Sequence, residues 1–291
     1  MTTITGTRIL LTGASGAIGT QLTHLLTEQG ATVIGVSRSA AKLERLGREV
    51  AARGSQTLGK FVALPWDISC VEELPLLLQE CDRGGSPSAH RLIGRVDILI
   101  NNAGIEIYKA FPDYLATELP EILTVNLTAA MELTRLLLPQ MLGRNAGHIV
   151  NVASVAGKIG HPYDSVYSAS KAGLLMWSDA LRQELADTGV KMSTICPGYV
   201  AQAGLLAATG ISAPRLAGIS QPQTVAGAVV KAIAHNQAEI VVNGNPLMTS
   251  LTKLLLASEQ LFPRLKDVVN RWLGVTNLNQ KRIIKLTKNI N

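Results

Sequence analysis

Tyr167 and Lys171, in the run Tyr-Ser-Ala-Ser-Lys, are the two side chains whose types and spacing could do chemistry together. On a helix, residues four apart share a face, with Cβ atoms about 5 to 6 Å apart. An ammonium held there favours the phenolate, lowers the proton affinity of the hydroxyl and makes a proton donor and acceptor usable near neutral pH. The same spacing also describes a solvated helix face, so the pair needs company. A second motif stands near the other end of the chain, in Thr12-Gly-Ala-Ser-Gly-Ala-Ile-Gly19. It follows a short apolar run and precedes a helical pattern. Glycines there allow a tight turn and let backbone N–H groups approach a pyrophosphate at the helix N-terminus, where the dipole favours negative charge.

Which dinucleotide such a loop takes depends on the end of the second apolar run. A carboxylate there accepts hydrogen bonds from the adenosine ribose of NAD. This chain has Val36-Ser37-Arg38 instead. Ser37 removes the repulsive carboxylate and Arg38 offers a guanidinium suited to a 2′-phosphate, so the expected cofactor is NADP(H). The alternative is that Arg38 merely opens a solvated loop.

These motifs need elements to position them. Arg8 to Leu11, Thr32 to Val36, Phe61 to Leu64, Val96 to Ile100, His148 to Val152, Lys191 to Ile195 and Glu239 to Val242 each read as a strand. Helical patterns alternate with them at Gln21 to Glu28, Ala40 to Ala52, Glu118 to Leu137, Tyr167 to Ala186 and Gln223 to Ala234. The alternation predicts an α/β fold, a Rossmann-type doubly wound parallel sheet of about seven strands flanked by helices. Ligands of such sheets sit at the carboxyl ends of the strands. Residues 82–94 read as a surface insertion. After Asn245 the alternation stops, and Leu247 to Leu261 and Pro263 to Leu273 read as two helices. The expected organisation is a catalytic domain over residues 1–245 and an amphipathic, basic helical extension over 246–291.

With these pieces in order, residues 7 to 245 resemble the compact branch of the short-chain dehydrogenase/reductase family. Thr12 to Gly19 is similar to its glycine motif, Asp67 after the third strand to its adenine-contacting acid, and Asn101-Asn-Ala-Gly104 to its motif beside the cofactor. Asn126, Ser154, Tyr167, Lys171 and Pro197-Gly198 follow in the family's order. The resemblance implies a catalytic tetrad of Asn126, Ser154, Tyr167 and Lys171. In it Tyr167 exchanges a proton with the substrate oxygen, Ser154 orients that oxygen, Lys171 holds the nicotinamide ribose, and Asn126 keeps a water in the proton relay. It implies cofactor contacts from Gly13, Ser15, Gly16, Ile18, Gly19, Ser37, Arg38, Asp67, Ile68, Asn102, Ala103, Gly104, Tyr167, Lys171, Pro197, Gly198 and Val200. It also implies a homodimer or homotetramer.

Two departures stand out. The glycines run Gly-x-x-Gly-x-x-Gly, with Ala17 where compact members carry a glycine; that spacing belongs to the longer, sugar-nucleotide-modifying branch. Gln202 stands where relatives often carry a threonine near the nicotinamide. The expected activity is NADPH-dependent hydride transfer between nicotinamide and a carbonyl or alcohol. A non-catalytic NADP-sensing or scaffold protein, or an epimerase of the longer branch, are the alternatives.

Composition sets the outer limits. Of 291 residues, 47% are hydrophobic and 16% charged, which excludes a disordered chain. Cys70, Cys81 and Cys196 are an odd number with no metal-ligand spacing, reading as reduced thiols of a cytoplasmic protein without a metal. The N-terminus shows no secretory pattern, and no uninterrupted run of 18 apolar residues occurs. The net charge of +6 lies entirely in the tail, where residues from Ser250 onward carry 8 basic and 2 acidic side chains; a neutral body offers no groove for nucleic acid. The segment from Ala201 to Ile219, with Leu205, Leu206, Ile211 and Leu216 and only Arg215 charged, suits an apolar substrate or packs on the body. The tail can lie peripherally on an anionic membrane, or cover that segment or a partner subunit.

Overall fold

Every strand of the main sheet has a helix against it, which is why the strands read as near-continuous apolar runs. The computed structural model describes residues 2–53, 59–81, 95–202, 210, 211, 213, 218–261, 268, 271, 272 and 274–288. The strands are β1 (Arg8–Thr12), β2 (Thr32–Ser37), β3 (Lys60–Pro65), β4 (Ile98–Asn101), β5 (Gly147–Val152), β6 (Val190–Pro197), β7 (Tyr199–Val200), β8 (Ile219–Ser220) and β9 (Glu239–Val242). Seven form one parallel sheet in the order β3-β2-β1-β4-β5-β6-β9. The order reverses between β1 and β4, so their carboxyl ends frame the switch point where a dinucleotide sits. β7 and β8 pair separately above β6, an element the alternation did not predict.

The helices are α1 (Ala17–Glu28), α2 (Ala40–Ala52), α3 (Leu74–Glu80), α4 (Glu118–Leu123), α5 (Ala129–Gly143), α6 (Ser165–Glu184), α7 (Pro222–His235), α8 (Pro246–Leu261) and α9 (Val275–Lys288). Side chains alternate along β1. Ile9 and Leu11 pack with Leu22 and Leu26 of α1 and Val225, Val229 and Ile233 of α7 on one face. Leu10 joins Leu77 of α3 and Leu133, Leu137 and Met141 of α5 on the other. The stretch Glu118–Gly143 is long and apolar enough to cross a membrane by composition alone. Its buried side chains serve this core instead.

All seven predicted sheet strands and all five predicted body helices are present. The first tail helix matches α8; most of the second, Pro263 to Leu273, lies outside the described residues, as does the 82–94 insertion. Two helices escaped the reading, α3 and α9.

Candidate active site

Thr12 ends β1 fully buried and ties two loops together. Its Oγ1 accepts the backbone N–H groups of Asn102 and Ala103, both at 3.1 Å. Asn102 Nδ2 donates in turn to the carbonyls of Thr12 (3.1 Å) and Gly13 (3.2 Å). The ends of β1 and β4 are thereby fastened into one floor. The sequence reading puts Asn102, Ala103 and Gly104 beside the cofactor; that Thr12 is the knot shows only in the structure.

The loop itself is built around absent side chains. Gly13 has φ +67°, and a Cβ on it would lie 2.8 Å from Ala103 Cα; a Cβ on Gly19 would lie 2.1 Å from the Gly13 carbonyl oxygen. Neither position accepts a larger residue without moving backbone. Gly16 begins α1 with no side-chain cap and no acid in the first turn, leaving that helix end open to an anion. Ala17 is already the first residue of α1, and Ile18 packs partly against the core. Ser15 and Ser37 hydroxyls meet at 2.6 Å, joining the loop to the end of β2. Arg38 follows, exposed, and enters none of the ion pairs among the described residues. Asp67 accepts the Ser69 N–H (2.9 Å) and hydroxyl (2.8 Å) on Oδ1, while Ile68 is buried. This cradle of open N–H groups, clearance and a free-standing guanidinium fits a phosphorylated dinucleotide.

The second half of the site faces it. Ser154 follows β5 and caps a short 3-10 turn, accepting Ala156 N–H at 3.1 Å. Tyr167 and Lys171 lie on the first turns of α6, with Lys171 Nζ 5.7 Å from the phenol ring centre. Lys171 is 3% exposed and donates to the Val152 carbonyl at 2.9 Å. Asn126 lies in a π-turn, Thr124–Thr128, between α4 and α5. Its Oδ1 accepts Ile105 N–H (2.8 Å), and its Nδ2 donates to Ile105 O (2.9 Å) and Ser170 Oγ (3.0 Å). That side chain is a clamp joining the loop after β4 to α6, set in a π-turn that interrupts the regular helical ladder. Gly104 has Asn126 Oδ1 and Lys171 Nζ at 3.3 and 3.4 Å from where its Cβ would be, so all three converge.

Pro197 ends β6, and Gly198 just after it donates its N–H to Val242 O at 2.8 Å. Val200 is partly buried in β7. Gln202 is exposed at φ 57°, terminating that strand in the left-handed region. Leu205, Leu206, Arg215 and Leu216 lie outside the described residues.

One expectation is corrected. The Tyr167–Lys171 pair alone predicted a depressed phenol pKa, but burial pushes Tyr167 up. The Glu106 carboxylate and Asp164 add to that, and the neighbouring Ser154 hydroxyl offsets only part. Desolvation also pulls Lys171 down to about 8, against raising influences from Glu106 and Cys196. Asp164, fully buried three residues before Tyr167, is pushed up to about 10 by burial and then by Glu106. The free site therefore holds a neutral phenol. Neither Glu106 nor Asp164 stands in a motif; Asp164 is a near neighbour in sequence, and only the fold brings Glu106 to Tyr167.

The short chain dehydrogenase family profile matches residues 7–209. Ketoacyl reductase HetN of Nostoc sp. (strain PCC 7120 / SAG 25.82 / UTEX 2576) is 51% identical over 282 residues, covering 97% of this chain and 94% of that protein. Nodulation protein G of Rhizobium meliloti (strain 1021) is 39% identical over 208 residues, 69% of this chain and 76% of its own. Among solved structures, a metagenomic short-chain oxidoreductase in complex with NADP superposes with a TM-score of 0.68 at 26% identity. It covers 83% of this chain and 98% of that one. Set beside the glycine cradle and the Tyr167 helix, these likenesses leave one conclusion: the chain belongs to the short-chain dehydrogenase family of oxidoreductases.

Proposed function

We propose that this oxidoreductase is an NADPH-dependent reductase of a carbonyl on an apolar, acyl- or lipid-like substrate, with Tyr167 as the proton donor. The observation that carries the reading is the convergence of Tyr167, Ser154, Lys171 and Asn126 opposite the glycine cradle. The printed activity of the Nostoc relative and the NADP held by the metagenomic one support it.

Gly13 to Gly19 and the start of α1 would hold the pyrophosphate, with Ser37 and Arg38 on the 2′-phosphate and Asp67 and Ile68 at the adenine. Asn102 to Gly104, Pro197, Gly198 and Val200 would flank the nicotinamide, and Lys171 its ribose. The reduced dinucleotide, when bound, supplies the hydride to the carbonyl carbon. The oxygen then becomes an alkoxide, far more basic than a phenol. Tyr167, neutral because it is buried, gives its proton to that oxygen, and the Ser154 hydroxyl orients it. Lys171, below its pKa of about 8 at neutral pH, supplies positive charge beside the phenolate that remains.

The test follows NADPH absorbance against carbonyl compounds graded by chain length, for wild type and Tyr167→Phe. Turnover should rise with apolar chain length and fall by about a thousandfold in the variant, with NADPH affinity kept. Tighter NADH binding would refute the cofactor assignment, and preference for small polar sugars the substrate class. A wild type with no turnover would favour a sensor.

A further inference from the structure

The sequence of α9 is basic, yet one of its cations faces inward. Arg282 is fully buried, and so is Asn279 one turn earlier. A buried guanidinium costs several kcal/mol unless its surroundings answer it, so its position needs a reason. Nη1 donates to Asn279 Oδ1 at 3.0 Å and Nη2 to the Ile211 carbonyl at 3.4 Å. Its Cζ lies 5.3 Å from the centre of the Tyr199 ring, a cation–π distance, and Tyr199 stacks on His161.

The neighbours on the same turn make matching contacts. Asn279 Nδ2 donates to the Pro162 carbonyl at 2.8 Å, and Gln280 Nε2 to the Tyr163 hydroxyl at 2.5 Å. Tyr163 is held at φ 64°, costly for a side chain of that size, while its carbonyl accepts Lys109 N–H at 3.0 Å. One turn of α9 therefore grips the 159–164 loop that launches α6, the β7 strand after β6, and the chain at Ile211. The 159–164 loop leads directly into the helix that carries Tyr167.

Charge adds a second link. The guanidinium lowers the proton affinity of Asp164, Tyr108 and Tyr199, each of which burial has raised. Glu106 and Asp164 in turn bear on Tyr167, and Asp164 also on Tyr114. Arg282 is thus a cation of the tail that bears on buried Asp164 and the tyrosines near it.

We propose that Arg282 is a positioning residue of the active site: α9 is a wall of the substrate pocket, and its buried guanidinium locks the 159–164 loop, Tyr199 and the Ile211 segment in the arrangement that receives the substrate. This rests on the reductase reading for its kinetic consequence only.

The experiment compares full-length wild type, Arg282→Met, Arg282→Lys and Asn279→Ala. Amide hydrogen exchange reads the loops, NADPH fluorescence the cofactor affinity, and steady-state kinetics the substrate. In Arg282→Met, exchange at 159–164 and around Ile211 should quicken by about tenfold and the carbonyl KM rise about tenfold. The β1–β6 core and the NADPH affinity should hold. Arg282→Lys should recover part of the KM, and Asn279→Ala should loosen 159–164 by itself, which keeps the question open to decision if the methionine variant does not fold. Unchanged exchange and KM would overturn the proposal, as would cofactor affinity falling in step with KM. If wild type turns over no carbonyl, the reductase reading fails, while the exchange arm still decides what Arg282 does.

Discussion

Lys171 shows how much the site costs at the level of one side chain. Its ammonium is nearly sealed from water, with the Val152 carbonyl as its hydrogen-bond acceptor. Desolvation brings its pKa to about 8, against an unfolded value near 10.5. Between those values the unfolded chain binds a proton the folded chain does not, so stability rises as pH climbs from about 8 towards 10.5 and carries a constant cost below. That cost is of the order of 3 kcal/mol. Lys171→Met should therefore raise the urea midpoint at pH 7, with the advantage shrinking by pH 10, while reductase turnover collapses. A variant less stable than wild type at pH 7 would mean that the Val152 bond and the nearby acids more than repay the desolvation.

At the scale of elements, Asn126 behaves differently from Tyr167 and Lys171. It saturates both main-chain groups of Ile105 and reaches Ser170, whose hydroxyl donates to the Tyr167 carbonyl at 2.7 Å. Asn126→Ala leaves partly buried Ile105 and buried Ser170 unanswered, a loss of about 2 kcal/mol. We expect a clear drop in melting temperature together with lost activity, whereas Tyr167→Phe should lose activity with its melting temperature nearly unchanged; equal melting for both would contradict the clamp. The elements around this clamp were legible in the sequence for a physical reason. A sheet whose inner strands are covered on both faces writes them as apolar runs, and Gly13, Gly19, Tyr167 and Lys171 recur at spacings that only a turn or a helix face explains. What was not legible depends on packing. α9 reads as a polar, basic tail because only a few of its residues turn inward. The proton affinity of Tyr167 could not be read from Lys171 because its burial and the approach of Glu106 exist only in the fold. Thr12 looked like the flank of a motif, and its role appears only when the ends of β1 and β4 meet.

For the whole molecule, the tail presents two different surfaces. α9 turns Asn279 and Arg282 inward. α8 is fixed to the end of β9, where Thr249 Oγ1 accepts Asn243 N–H at 3.1 Å and Thr252 Oγ1 accepts from Asn243 Nδ2 at 2.7 Å. Leu256 packs on the same side. The opposite face of that helix carries Leu247, Leu251 and Leu254, which are 73%, 52% and 68% exposed, and Trp272 further on is 76% exposed. Three leucines spaced four and three apart lie on one stripe. Such a stripe loses hydration cost by meeting something apolar. The segment that carries it is basic in sequence, since the whole net charge of the chain resides from Ser250 onward. An exposed apolar stripe on a net-basic segment suits an anionic lipid surface, which would also bring an apolar substrate close to the site. We therefore expect the full chain to float with vesicles containing anionic lipid, less with zwitterionic ones, and least at high salt. Leu251→Glu with Leu254→Glu should abolish flotation and leave NADPH binding intact, because that face lies opposite the one docked on β9. Flotation that survives the double variant would remove α8 from the contact. A change in mass between wild type and variant in solution, without flotation of either, would assign the stripe to a second copy of the chain.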